Sequence, residues 1–341
     1  MVQPKSTWYH PVLMGLTLGL AIALQAPLAT VGMAQEENPE ASVEELMAML
    51  QTIDPYRPMG EVAGVVKVFG STSMDALAHG WVHGFAQFHP AAKIEISAAG
   101  TADAMKRLLE NPSGVAMLSR PIKDEELLEL KKQGLKEPTA FVVAREALGV
   151  FVNAANPVQT ISGEQLRAIF TAEKAPSALN WSLLGASGDW AKKEINVVSR
   201  TENSGTQMFL QDFVFHDAQL RVGKVAFDSN AEVVGAVVKD TLAIAICGLH
   251  CGDNAAKSLQ LTAGATAVPS DDQAILTGQY PLTRPMSIII DLGQTSAEAK
   301  ASQELVRYAL CHAGQTQAIL AGFYPVDLPL LRAGMQKLNL R

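Results

Sequence analysis

Residues 65–88 read VVKVFGSTSMDALAHGWVHGFAQF, and their pattern changes once, at Gly70. Before it, Val65, Val66, Val68 and Phe69 make a β-branched and aromatic run that favours an extended strand. After it, Met74, Leu77, Trp81, Phe85 and Phe88 recur at three- and four-residue steps, the spacing of one apolar helix face. A strand that passes through a glycine and a Ser-Thr-Ser turn into a helix is one βα unit.

The unit recurs along the chain. KIEISA (93–98) is a strand, and Gly100-Thr101 leads it into the helix ADAMKRLLE (102–110). GVAMLS (114–119) is followed by a charged helix from Arg120 with Asp124 as its cap, and AFVVA (140–144) and LGVFVNAANP (148–157) read as two strands. SGEQLRAIF (162–170) is helical, NVVSR (196–200) extended, and NSGTQMF (203–209) turns into another helix. LAIAIC (242–247) and MSIIID (286–291) are late strands, and one long helix is expected from Ser296 to Ala321. Strands that alternate with helices predict an α/β protein with mainly parallel sheets.

Composition narrows what such a protein can do. The 341 residues are 48% hydrophobic and 18% charged, enough for two lobes each with its own core. A formal net charge of −7 argues against nucleic acid as a partner. Lys5 precedes an apolar run from Val12 to Leu28, and Gly32 and Ala34 fit the small-x-small rule, so residues 1–34 read as a secretory signal peptide. Residues 35–61 read as an amino-terminal extension, in which Ser42 and Glu45 box the start of a short helix that Pro55 and Pro58 end. In an exported chain Cys247, Cys251 and Cys311 allow one disulfide, and spacing leaves all three pairings open.

Three of the junctions share one chemical idea: FGSTSM, AAGTADAM and NSGTQMF each place a glycine and hydroxyl residues where a helix begins. Free N–H groups and the helix dipole make such ends attractive to anions. Thr72, Ser73, Thr101, Ser204 and Thr206 supply hydroxyls, and Arg200 a planar guanidinium that matches an oxyanion. Each junction alone reads first as an ordinary cap; the three together, with Arg200 before one of them, point to a site for a small oxyanion. An enzyme is not expected, since neither a G-x-S-x-G elbow nor a G-x-x-x-x-G-K loop is present. His79 and His83 stand opposite the apolar helix face and read as solvent-exposed, and no metal or cofactor is expected.

The order of these pieces resembles that of the phosphate-binding proteins of phosphate ABC importers (PstS type), which have the type II periplasmic binding protein fold. The matching stretches are GSTSMDALAHGW, ISAAGTADAMKRL, MLSRPIKDEEL, LGVFVNAANPVQTISGEQLRAIFT, VVSRTENSGTQMF, LTGQYPLTRPMSIII and AGFYPV. The resemblance implies two α/β lobes, each a mainly parallel sheet flanked by helices, joined by a two-stranded hinge. Lobe 1 is expected at 62–142 plus 252–341 and lobe 2 at 143–251, with crossovers near Phe141–Leu148 and Ala245–Gly252. It implies that Thr72, Ser73, Thr101 and Ser119 on one side, and Arg200, Ser204, Gly205 and Thr206 on the other, close on phosphate, with Arg120 as an additional donor. The implied function is a periplasmic, monomeric solute-binding protein that captures inorganic phosphate and delivers it to a membrane permease. The alternative is a sensor or scavenger of phosphate or another oxyanion, or a scaffold that keeps the fold. Many members have an aspartate where Ser119 stands, which accepts the proton of bound phosphate. The neutral serine opens the question of sulfate discrimination, with Asp75, Asp103 and Glu146 as acids that could substitute.

Overall fold

The computed structural model describes residues 44, 46–172, 179–216, 218–221, 223, 225–252 and 254–339. The expected signal peptide and the Ser42–Glu45 capping box lie outside them.

The strands are β1 (Gly64–Gly70), β2 (Ala92–Ser97), β3 (Val115–Leu118), β4 (Pro138–Asn153), β5 (Thr160–Ser162) and β6 (Asn196–Arg200), then β7 (Val225–Phe227), β8 (Ala243–Gly248), β9 (Ala256–Ala263), β10 (Thr266–Ala267) and β11 (Thr283–Asp291). Their main order is β2-β1-β3-β11-β4-β8-β6-β7, with β9 on β4 and β5 and β10 beside β9. β1–β2, β1–β3, β5–β9, β6–β7 and β6–β8 are parallel. Every pairing of β4 or β11, and the β9–β10 hairpin, is antiparallel. The expectation of mainly parallel sheets is therefore corrected to mixed sheets. Crossover helices impose parallel pairing, while the strands that pass between the two lobes run against their neighbours.

β4 is the axis of the molecule. AFVVA and LGVFVN, expected as two strands, are one strand of 16 residues. Arg145 and Glu146 look like a polar break in the sequence, but no glycine or proline stands there to turn the chain. The first part of β4 pairs with β11, from Pro138 against Asp291 to Ala147 against Thr283. Its last part, Leu148–Asn153, pairs with β8 and β9.

The expected division at residue 252 does not hold for the segment that follows it. β9 pairs with β4 and β5, and Leu259, Leu261, Ile275, Tyr280 and Leu282 share a core with Val150, Trp181 and Ile244. Residues 245–248 lie inside β8, paired with 148–151 of β4, and are no crossing. The chain returns instead through β11, whose Met286, Ile288 and Ile290 join the core of Trp81, Phe85 and Tyr308. The alternation of LQL in β9 is the same in either lobe, so local pattern carried no information on which sheet it joins.

Two further departures concern helices. The helix Asp75–Ala86 buries Leu77, Trp81 and Phe85 as expected, but it ends before Phe88, which is 44% exposed. The expected Ser296–Ala321 helix is two, Ala297–Leu310 and His312–Leu320, broken where Cys311 turns extended at φ −95°, ψ 175°. All three cysteines are thiols; Cys247 and Cys311 are buried in different cores. Among the described residues no helix is long and apolar enough to cross a membrane.

Candidate functional site

The strand β1 delivers the first hydroxyl-bearing turn. The Ser71 N–H donates to Met117 O at 2.9 Å and the Gly100 N–H to Gly70 O at 2.8 Å, which pins the first two junctions side by side at the ends of adjacent strands. A 3-10 turn, Thr72–Met74, then enters the helix Asp75–Ala86. The second and third helices are shorter than their sequences suggest. They span Ala104–Glu110 and Gly205–Phe209, the latter running on as a π-turn over Leu210–Val214. A helix of five or seven residues sums few peptide dipoles, so the charge here comes from side chains.

Ser71, Thr101 and Ser119 form a buried hydroxyl chain. Ser71 Oγ donates to Ser119 Oγ at 2.8 Å, and Thr101 Oγ1 shares a hydrogen bond with Ser119 Oγ at 3.3 Å. Gly205 from the third junction packs directly on them. A Cβ there would fall 2.2 Å from Ser119 Oγ and 2.5 Å from Thr101 Oγ1, so only glycine permits this approach. Beside it the Ala102 N–H donates to Asn203 O at 3.3 Å. Ser204 caps its helix, accepting from the Thr206 N–H at 3.1 Å.

Two guanidinium groups reach the same place. Arg200, 2% exposed at the end of β6, donates through Nη2 to Thr72 Oγ1 at 2.7 Å. Its Nε donates to Phe227 O at 3.2 Å and its Nη1 to Asn230 Oδ1, which hold the fork in place. Arg284, fully buried near the start of β11, donates through Nη2 to Thr206 Oγ1 at 2.9 Å and Ser73 Oγ at 3.3 Å. Arg284 also grips Glu146 Oε2, through Nε at 2.8 Å and the same Nη2 at 2.5 Å. Burial and then the nearby Arg284 charge push the Arg200 guanidinium down to about 10, still protonated at neutral pH. Arg284 Nη1 and Glu146 Oε1 are buried without a hydrogen-bond partner among the described residues.

Thr72, Ser73, Thr101, Ser119, Arg200, Ser204, Gly205 and Thr206, all expected from sequence, are thus gathered at one junction between the lobes. Arg120 is not part of it. Its Nη1 and Nη2 bind both oxygens of Glu126 at 2.8 and 2.6 Å, and Glu126 also accepts from the Lys123 N–H. That pairing makes Lys123, not Asp124, the cap residue. Lys123 in turn bridges to Asp212 at 2.7 Å, a further link between the halves.

Sequence reasoning did not assign Arg284, Ser71 or Asn230. The signal for Arg284 was its place in YPLTRP, an arginine leading into the apolar run MSIII; nothing local marked Asn230. Of the three acids named as substitutes, Asp75 is half exposed beside His79, and Asp103 lines a surface groove of about 470 Å³ with Lys67, Lys106 and Arg107. Glu146 alone is inside.

A model of the PBP superfamily domain matches residues 56–312. The chain belongs to the PBP superfamily. It is 27% identical over 298 residues to the phosphate-binding protein PstS of Pseudomonas aeruginosa, covering 84% of this chain and 92% of the relative. The phosphate-binding protein PstS of Staphylococcus aureus is 27% identical over 255 residues, with 73% and 75% covered. A solved structure from Clostridium perfringens, described as a phosphate ABC transporter substrate-binding protein with bound phosphate, superposes with a TM-score of 0.64 at 24% identity. It covers 77% of this chain and 100% of its own. This PBP-superfamily chain therefore has the two-lobed α/β fold of those proteins, and β4 is the strand that pairs in both of its main sheets.

Proposed function

We propose that the chain captures inorganic phosphate between its lobes and delivers it to the membrane permease of an ABC importer. The ligands in this reading are Thr72, Ser73, Thr101, Ser119, Arg200, Ser204, Gly205 and Thr206, with Arg284 as a second guanidinium. The lobes divide at β4 and β11. The protein works as a monomer in the periplasm, after export and removal of residues 1–34.

The observation that carries this reading is a charge imbalance. Arg200 and Arg284 are both buried, and among the described residues Glu146 is the one buried carboxylate beside them. Desolvating an unbalanced cation is costly, and an anion that accepts charge-assisted hydrogen bonds offsets the cost. The surrounding hydroxyls and the fixed forks suit a tetrahedral guest with several acceptor oxygens. The names of the relatives support phosphate as that guest, and no bond of the guest is broken in this scheme.

Titration calorimetry of the purified chain is expected to show tight, one-to-one phosphate binding. Thr101→Val removes one buried hydroxyl at nearly constant volume and is expected to weaken binding about tenfold, near 1.4 kcal/mol. No heat with phosphate would remove the proposal, and parental affinity in Thr101→Val would move the site elsewhere.

A further inference from the structure

We propose that the amino-terminal extension is a strap across the hinge. Its leading turn, residues 46–53, completes an apolar cluster built from both lobes and so favours the arrangement in which the lobes touch. The inference goes beyond the phosphate reading and needs only that the lobes move about β4 and β11.

Three observations carry it. First, the extension is fixed to lobe 1 just after that turn. The Asp54 carbonyl accepts from the His312 N–H at 2.9 Å, where the helix His312–Leu320 begins. Tyr56 is buried in the core of Trp81, Phe85 and Tyr308; its hydroxyl donates to Glu304 Oε2 at 2.8 Å and meets His89 Nε2 at 2.6 Å. These partners all belong to lobe 1, so the anchor is indifferent to lobe movement.

Second, the turn itself meets a cluster with parts from both lobes. Residues 46–49 are helical and Leu50–Thr52 is a 3-10 turn. Leu46 and Leu50, 6% and 0% exposed, share the cluster with Ile319, and Met47, Ile53, Leu276 and Tyr324 pack against it. Ile319 follows Ala318 of the lobe 1 core in the same helix. Leu276 ends the helix Asp272–Leu276, whose Ile275 lies in the core of lobe 2.

Third, Tyr324 places the cluster at the hinge. It exchanges two main-chain bonds of 2.9 Å with Arg145, which stands in β4 shortly before Leu148, where pairing with β8 begins. Its hydroxyl donates to Asp272 Oδ1 at 2.9 Å, on the lobe 2 helix. At the site the lobes are together: Arg200 reaches Thr72, Gly205 sits on Ser119, and Lys123 pairs with Asp212. Opening moves Leu276 and Asp272 relative to Ile319 and returns part of the cluster to water, which is unfavourable. The states of a hinged protein lie close in free energy, so a few buried side chains bias the balance. A guest that needs the closed state then loses apparent affinity in proportion to the fraction left closed.

Leu50→Ala in the full chain tests the strap by calorimetry with inorganic phosphate, small-angle X-ray scattering of the unliganded protein, and thermal melting. Phosphate is expected to weaken about fivefold to tenfold, although Leu50 touches none of the proposed ligands. The radius of gyration without phosphate is expected to rise above the parental one, and to return to it at saturating phosphate. Leu50→Met keeps the apolar volume and is expected to behave as the parent. If the turn merely stabilises lobe 1, L50A melts earlier with parental affinity and parental radius, and either parental value in the folded variant overturns the proposal. Should L50A fail to fold, Leu46→Ala, one turn earlier, carries the same test. Absence of phosphate binding in the parent would remove the functional reading, and the scattering of the unliganded proteins would then decide the strap by itself.

Discussion

Arg200→Ala is expected to weaken phosphate binding by two to three decades, roughly 3–4 kcal/mol, with little change in the melting temperature of the unliganded chain. Binding loses a charged, planar donor that burial makes stronger than it would be in water. Stability is nearly spared because opposing effects act on the free protein. The variant takes the Arg200 donor from Asn230 Oδ1 and leaves Phe227 O with the Thr201 N–H alone, which costs stability. It also removes a like charge from beside Arg284 and a desolvated cation, which returns stability. Arg200→Lys keeps the charge but lacks the fork that spans Thr72 and Asn230 at once, and is expected to fall between parent and alanine. Calorimetry on the three proteins decides the matter. An alanine variant with the parental dissociation constant would take Arg200 out of the site.

The second large effect is on stability. Arg284→Met removes the one charged partner hydrogen-bonded to Glu146 among the described residues and leaves a carboxylate at 0% exposure. Breaking a buried pair from one side typically costs about 3–5 kcal/mol, which for a domain of this size lowers the melting temperature on the order of 10 °C. Replacing both partners should recover most of that loss, because Glu146→Leu with Arg284→Met leaves no buried charge unpaired. Differential scanning calorimetry of the two single variants and the double one measures the coupling. Additive losses would show that the pair does not act as a unit. Phosphate binding is expected to stay weak in the double variant, since the guest has then lost Arg284 altogether. Stability and affinity are in this way separable at one pair.

The two predictions differ because the two arginines are held differently. Arg200 is fixed by neutral acceptors, two of them main-chain carbonyls, so its charge is unspent. Arg284 is fixed by a carboxylate along its Nε–Nη2 edge, and the same Nη2 also donates to Thr206 and Ser73. Lys123–Asp212 and Ala102–Asn203 add links between the lobes that need no guest.

Much of this protein was legible in its local pattern. The β-branched runs, the helix-face spacing of Leu77, Trp81 and Phe85, and the glycine-hydroxyl turns at Thr72, Thr101 and Ser204 depend on residues within a few positions of one another. Each states how a segment folds and which face it buries, and each of those turns lies where its strand and helix implied. What local pattern leaves open is the partner. Arg120 and Arg200 both follow a buried strand and look alike in sequence; Glu126, six residues downstream, takes the first, while the second meets Thr72 from 128 residues away. Glu146 reads as a break in a strand until β11 is laid against β4 and brings Arg284 to it across 138 residues. The assignment of β9 to the second sheet, and the split of the last long helix at Cys311, likewise required the folded chain. A charge or an apolar face announces that it needs a counterpart; only the register between distant strands decides which one it receives.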